Sequence, residues 1–226
     1  GYSSSERYII ETAPKTPQKP KAPQDGDQLA WSGVLPTKAN LDVPFTMQAP
    51  HSDWAMPWQE MCEEASMLMV DRFYQGQTGK LYKDDATEEM LKIVDYENKT
   101  LGYYKDTTAA ETVKIIIGFY GYERVLIRPL TGPDDLKKAV ALGYPVIVPA
   151  AGKLLKNPYF RNGGPVYHML VVRGYTDKDF ITNDPGIGRG QGYTYSYETL
   201  MHAAHDWNGG NVTEGKKMMI VILPRD

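Results

Sequence analysis

The sequence predicts an α+β fold, with helices first and an antiparallel sheet second. Two patterns carry this. Between residues 63 and 142 apolar side chains recur at helical spacing. Between 146 and 223 they gather into short runs rich in β-branched residues and tyrosine. A hydrophobic fraction of 42% over 226 residues suffices for one good core, and sixteen tyrosines with sixteen prolines fit a surface rich in strands and loops.

The first forty residues stand apart. Ala13 to Pro23 reads APKTPQKPKAP, and five of the sixteen prolines lie before residue 41. Such a stretch buries too little apolar surface to offset the entropy of ordering it. An extended linker or tail is therefore expected over 1–40, and a folded domain over 41–226. The chain opens on Gly1 rather than Met, as expected of a processed or trimmed product. A spacer of this kind suits a domain working outside the cytoplasm, secreted or anchored to a surface.

In the folded part, Ala65, Leu68, Met69 and Phe73 form an apolar stripe that predicts a helix over 63–75, with Gly76 as its stop. Thr87 to Asn98 reads as a second helix, with Glu88 and Glu89 in its first turn. Thr108 and Glu111 make a capping box for a helix to about Gly121. A fourth runs from Asp134 or Asp135 to Leu142, ended by Gly143. Strands follow at Val146–Val148, Val166–Val172, Phe180–Thr182, Gly192–Tyr197 and Lys217–Leu223, with a short helix from Tyr197 to Ala204.

Charge and apolar runs exclude some functions. A formal net charge of −3 offers no basic surface for nucleic acid. Runs such as Ile115–Ile117 and Met218–Leu223 fall short of the roughly 18 residues a membrane-spanning helix needs. His202 and His205, three apart with Asp206 nearby, could make a metal pair. With no further ligand signature, neither a metal nor a cofactor is expected.

Cys62 is the sole cysteine, so internal disulfides and multi-cysteine metal sites are excluded. It is either an inert packing thiol or a nucleophile. It stands where a helix begins, and a helix N-terminus favours a thiolate and offers N–H groups to an oxyanion. His168 follows the Asn162–Pro165 turn at the edge of a strong strand, and Asn183-Asp184-Pro185-Gly186 ends the next short strand. A hairpin through Gly174–Asp177 would bring His168 and Asp184 within reach, as a base and its orienting group require. Singly, each signal is ordinary. A lone histidine at a strand edge is more often structural, Asn-Asp-Pro-Gly is a common turn, and His51, His202 and His205 are rival bases. The order Cys, His, Asp, each at an element boundary, singles them out.

The succession Val43-Pro44-Phe45-Thr46-Met47-Gln48, Cys62-Glu63-Glu64-Ala65-Ser66, Gly164-Pro165-Val166-Tyr167-His168 and Asn183-Asp184-Pro185-Gly186 resembles the papain-like cysteine peptidases. Within them it is most similar to the bacterial branch related to the double-glycine leader peptidases of bacteriocin exporters. The resemblance spans about residues 41–224. It implies a papain-like fold in which Cys62 heads the central helix as nucleophile. His168 is then the general base and acid, and Asp184 orients the imidazole. The implied partner is a peptide or protein substrate, while the oligomeric state is left open. The family places an oxyanion-hole glutamine shortly before the cysteine. Gln48 matches the Val-Pro-x-x-x-Gln pattern but lies fourteen residues upstream, whereas Gln59 lies three upstream. Gln48 is preferred, with 49–58 as an inserted loop, and Gln59 is the second choice. No membrane segment or nucleotide-binding motif accompanies these residues, so peptide export is not implied.

Side chains alternate faces along a strand end, so only one of Asn183 and Asp184 should face His168, and Asp184 is chosen. Pairing with His168 is expected to lower the Cys62 thiol below its free pKa of ~8.5. The expected function is a cysteine peptidase or amidase. The alternative is a non-catalytic papain-like module that binds peptide or wall material.

Overall fold

The computed structural model describes residues 26–226. Among them the strands are β1 (Ala39–Asn40), β2 (Val125–Pro129), β3 (Val146–Ala150), β4 (His168–Tyr175), β5 (Asp179–Asn183), β6 (Gln191–Ser196) and β7 (Met218–Ile222). They form one seven-stranded sheet in the order β2-β7-β3-β4-β5-β6. All pairings are antiparallel. β3 covers β4 from His168 to Val172, and β1 takes over at Gly174 and Tyr175.

Alternation within the strands sends apolar side chains to both faces. Val146, Val148, Leu170, Val172 and Val221 pack with α4 (Pro133–Ala141) and α5 (Tyr197–Ala203). Ile147, Met169, Val171, Ile220 and Ile222 pack with α1 (Cys62–Tyr74) and α3 (Ala109–Ile115). All eight residues of β4 are buried, which makes it the central strand and explains its unbroken apolar run. Helix α1 is enclosed from Cys62 to Asp71. One side meets the sheet, and Ala65 and Leu68 meet Ala86, Met90 and Val94 of α2 (Lys83–Leu101).

The α+β arrangement is as the sequence predicts, with four differences. α2 starts at Lys83, one turn before Thr87, because the polar Lys83-Asp84-Asp85 turn carries no apolar period. α3 keeps its Thr108–Glu111 capping box but passes into a π-helix over Ile116–Tyr120, closed by Gly121 at φ 73°. β2 is a half-buried edge strand whose pattern is too weak to read.

The fourth concerns the boundary at residue 41. The proline–lysine run at 13–23 lies outside the described residues. From Leu29 onward the chain already belongs to the body. Leu29 is 7% exposed within the α4–α5 core. The Tyr175 hydroxyl donates to the Pro36 carbonyl at 2.8 Å, and the Leu41 N–H donates to the Arg173 carbonyl at 2.8 Å. One leucine in a polar stretch, held otherwise by backbone bonds, leaves no periodic signal.

Between α1 and α2 two carboxyls are fully buried. The side-chain oxygens of Glu64 and Glu97 meet no N–H or O–H donor from other residues. Burial, and for Glu64 also the charge of Glu97, holds both carboxyls above their ordinary value. Burial pushes Glu97 up from 4.5 to about 8. Between those values the folded protein keeps a proton that the unfolded chain has released. Stability contributed by this group is therefore full below pH 4.5 and falls as pH rises toward 8. Glu97→Gln should flatten that fall, as read by denaturant unfolding at pH 5 and pH 8. An equally steep fall in the variant would show that Glu97 does not hold the proton.

Candidate active site

Three chain segments meet at one end of the sheet: the first turn of α1, the start of β4, and the 183–190 stretch between β5 and β6. Cys62 opens α1. Met61 occupies the cap position and offers no side-chain acceptor to the first-turn N–H groups. The thiol is 6% exposed and donates to Glu63 Oε2 at 3.1 Å. Burial, then the charge and hydrogen bond of Glu63 and the charge of Glu64, push it well above its usual value. The Met169 backbone N–H acts in the opposite direction on the sulfur. Sequence reasoning expects a depressed thiol. The structure gives a raised one, because the thiol is buried and its sulfur donates to the Glu63 carboxyl.

His168 is the first residue of β4 and is buried. Its Nε2 lies 2.7 Å from Asp184 Oδ1. The Phe160 ring stands edge-on to the imidazole, centroids 5.2 Å apart. Asp184 is fully buried, yet it accepts two further bonds. The Gly186 N–H donates to Oδ1 at 2.9 Å, and the Tyr195 hydroxyl donates to Oδ2 at 2.6 Å. Burial pushes the carboxyl up. The charge of His168 and these hydrogen bonds outweigh it and hold Asp184 below its ordinary value. With Nε2 engaged, Nδ1 is the ring nitrogen left for proton exchange.

Local sequence explains the corner. A Cβ at Gly186 would lie 2.8 Å from Phe160 and 2.9 Å from His168, so only glycine lets the loop pass beside the imidazole. Asn183 faces away from His168. Its Nδ2 donates to the Val43 and Pro44 carbonyls at 3.0 and 3.1 Å, and its Oδ1 accepts from Arg173 and the Gly192 N–H. Gln48 is buried beside this corner. Its backbone N–H donates to the Pro185 carbonyl at 2.9 Å and its Nε2 to the Trp58 carbonyl at 3.0 Å. Gln59 is exposed on the short 3-10 turn Trp58–Glu60. The sequence gap between Gln48 and Cys62 is thus taken up by a loop that folds back onto Gln48.

The rival histidines lie elsewhere. His51 pairs with Asp84 at 2.9 Å on the surface, His202 is exposed, and His205 Nδ1 donates to the Gly215 carbonyl at 2.7 Å. Asp206 accepts from the Ala109 N–H at the start of α3. Among the described residues no three His, Cys, Asp or Glu side chains converge as a metal site, and no helix is long and apolar enough to cross a membrane. Sequence reasoning missed Glu63, Tyr195 and Asn157, whose amide donates to the Tyr195 oxygen at 2.8 Å. Tyr195 showed only as one of the alternating tyrosines of β6, and nothing in the sequence ties it to Asp184.

Residues 40–211 match the profile of the Peptidase_C39 like family. The chain belongs to that family. Among solved structures it is similar to a Bacillus anthracis protein named as a C39-like peptidase, at 16% identity and a TM-score of 0.54. That match covers 84% of this chain and 98% of the other. At this identity the likeness carries the fold, which is the papain-like one. Xylellain, a cysteine protease from Xylella fastidiosa, matches at 13% identity and a TM-score of 0.36, covering 85% of this chain and 88% of that one. No curated protein matches the sequence significantly. Family and fold agree with the resemblance carried by the sequence motifs.

This C39-like chain differs from a bare cysteine site in the carboxyl beside its thiol. Glu63→Gln removes that charge, so the thiol should ionise at lower pH. Thiolate absorbance titrated against pH should show the midpoint moving down. An unmoved midpoint would mean that burial alone sets the thiol.

Proposed function

We propose that the protein is a cysteine peptidase that hydrolyses peptide-like bonds. Cys62 is the nucleophile, His168 the general base and then acid, and Asp184 the orienting group. The oxyanion donors are the Cys62 N–H and the Gln48 amide. The observation that carries this reading is the buried His168–Asp184 pair at 2.7 Å, one residue along β4 from the Met169 N–H that acts on the Cys62 sulfur.

Catalysis starts with rotation of the thiol away from Glu63 and toward His168. The move exchanges a carboxylate neighbour for an imidazole, so the sulfur can give up its proton to Nδ1. The thiolate attacks the carbonyl carbon, and the π electrons pass to oxygen. One Gln48 N–H is held by Trp58, which fixes the amide and leaves its second N–H for the oxyanion. Loss of such a donor costs about 10²–10³ in rate. The imidazolium then protonates the leaving amine, and the C–N bond breaks to give a thioester. Water, deprotonated by His168, completes hydrolysis. A passive binding module would gain nothing from burying the Asp184 charge with its imidazole partner, which costs desolvation.

Hydrolysis of peptide libraries by the full chain tests the assignment. Cys62→Ala should abolish turnover. Gln48→Ala should lower kcat by about 10²–10³, while Gln59→Ala stays close to wild type. Turnover by Cys62→Ala would overturn the peptidase reading, and a reversed order of the glutamines would overturn the oxyanion assignment alone.

A further inference from the structure

Behind the His168–Asp184 pair runs a chain of buried polar side chains that packing alone does not require. Asn157, Tyr195, Asp184 and His168 are 3%, 4%, 0% and 1% exposed. Water therefore does not compete for their hydrogen bonds. Each link has a forced direction. The Tyr159 backbone N–H donates to Asn157 Oδ1 at 2.9 Å, which fixes the amide orientation. Asn157 Nδ2 can only donate, and it donates to the Tyr195 oxygen at 2.8 Å. The hydroxyl has a single proton, so that proton goes to Asp184 Oδ2 at 2.6 Å. The carboxylate is left to accept from His168 Nε2 through its other oxygen.

We infer that Asn157 and Tyr195 are positioning residues that set the proton arrangement of His168, holding Asp184 as an acceptor so that the imidazole carries its hydrogen on Nε2 and keeps Nδ1 bare. The inference rests on the peptidase reading for its consequence in turnover, but its geometry stands independently. Two segments distant in sequence supply the parts. Tyr195 comes from β6, in register with Phe180 of β5. Asn157 comes from the connection after the short Gly152–Leu155 turn, which also carries Phe160 against the imidazole.

The chemistry explains why the hydroxyl matters. Without it, Asp184 Oδ2 is buried with no donor, and an unsatisfied buried carboxylate takes up a proton more readily. A protonated Asp184 donates to Nε2 instead of accepting from it. The ring hydrogen then sits on Nδ1, and the lone pair that should receive the thiol proton is gone. The titratable groups facing Asp184 are His168 from β4 and Tyr193 and Tyr195 from β6. Burial and the Asp184 charge push the Tyr195 phenol far up, so its hydroxyl remains a donor.

Two measurements on the full chain test this. In peptide hydrolysis, Tyr195→Phe should lower kcat roughly 10- to 100-fold, the range for a charge-assisted hydrogen bond. KM should stay nearly constant, and the acid limb of the kcat/KM profile should move to higher pH. In the Cys62→Ala protein, carbon-13 NMR of the Asp184 carboxyl and nitrogen-15 NMR of His168 read the same effect without turnover. Tyr195→Phe should raise the carboxyl midpoint and increase the Nδ1-protonated tautomer. Asn157→Asp, which replaces the donor facing Tyr195 with an acceptor, should do likewise, and the double variant should add little more. An unchanged midpoint and tautomer in folded Tyr195→Phe would overturn the inference. A wild-type protein without turnover, in which the midpoint still moves with Tyr195→Phe, would overturn the peptidase reading and support the positioning chain.

Discussion

The buried carboxylate of Asp184 is the constraint on which the site is built. A charge out of water must be met by donors, and three are gathered around it: His168, the Gly186 N–H and the Tyr195 hydroxyl. Its neighbours carry the framework outward. Asn183 ties the corner to Val43 and Pro44, and the Pro185 carbonyl ties it to Gln48. Four residues in a row thus join β4, β6, the entry segment and the glutamine loop. The Asp184 backbone N–H closes the loop onto the Gly190 carbonyl at 2.9 Å, and a Cβ at Gly190 would collide with that same backbone. The glycines of this loop answer a packing demand set by the carboxylate.

The opposite wall of the site follows a different logic. The first turn of α1 buries Cys62, Glu63 and Glu64 together, with Glu97 across from them. A helix enclosed by a sheet and another helix would be most stable with apolar residues there. Carboxyls in that position are retained at a cost in stability, which is common where a fold keeps groups for chemistry. They surround the thiol with groups that favour its protonated form.

Much of this fold is legible in the sequence because apolar periodicity dominates it. The stripe over 63–75, the capping box at Thr108 and the apolar run of β4 follow from local spacing alone. The β4–β5 hairpin was readable too, and it brings Asp184 beside His168 through the Val171–Asn183 register. Features that depend on tertiary pairing were not. Leu29 and β2 have no local signal. Tyr195 reaches Asp184 only through the register of β5 with β6, and Asn157 only through a loop that no pattern marks. The raised thiol departs from the sequence expectation for the same reason. Helix position speaks to its exposure to backbone N–H groups, but only packing reveals that Glu63 is buried against it.

The central claim is that His168, held by Asp184, is the base that serves Cys62. The rate of iodoacetamide alkylation of Cys62, followed against pH in the wild type and in His168→Ala, tests it most directly. The account predicts a wild-type rise in rate assisted by His168, at a pH below that at which the raised, unassisted thiol ionises. That rise should be absent from His168→Ala, whose rate should increase only as an unassisted buried thiol ionises. Superimposable profiles from the two proteins would contradict the account.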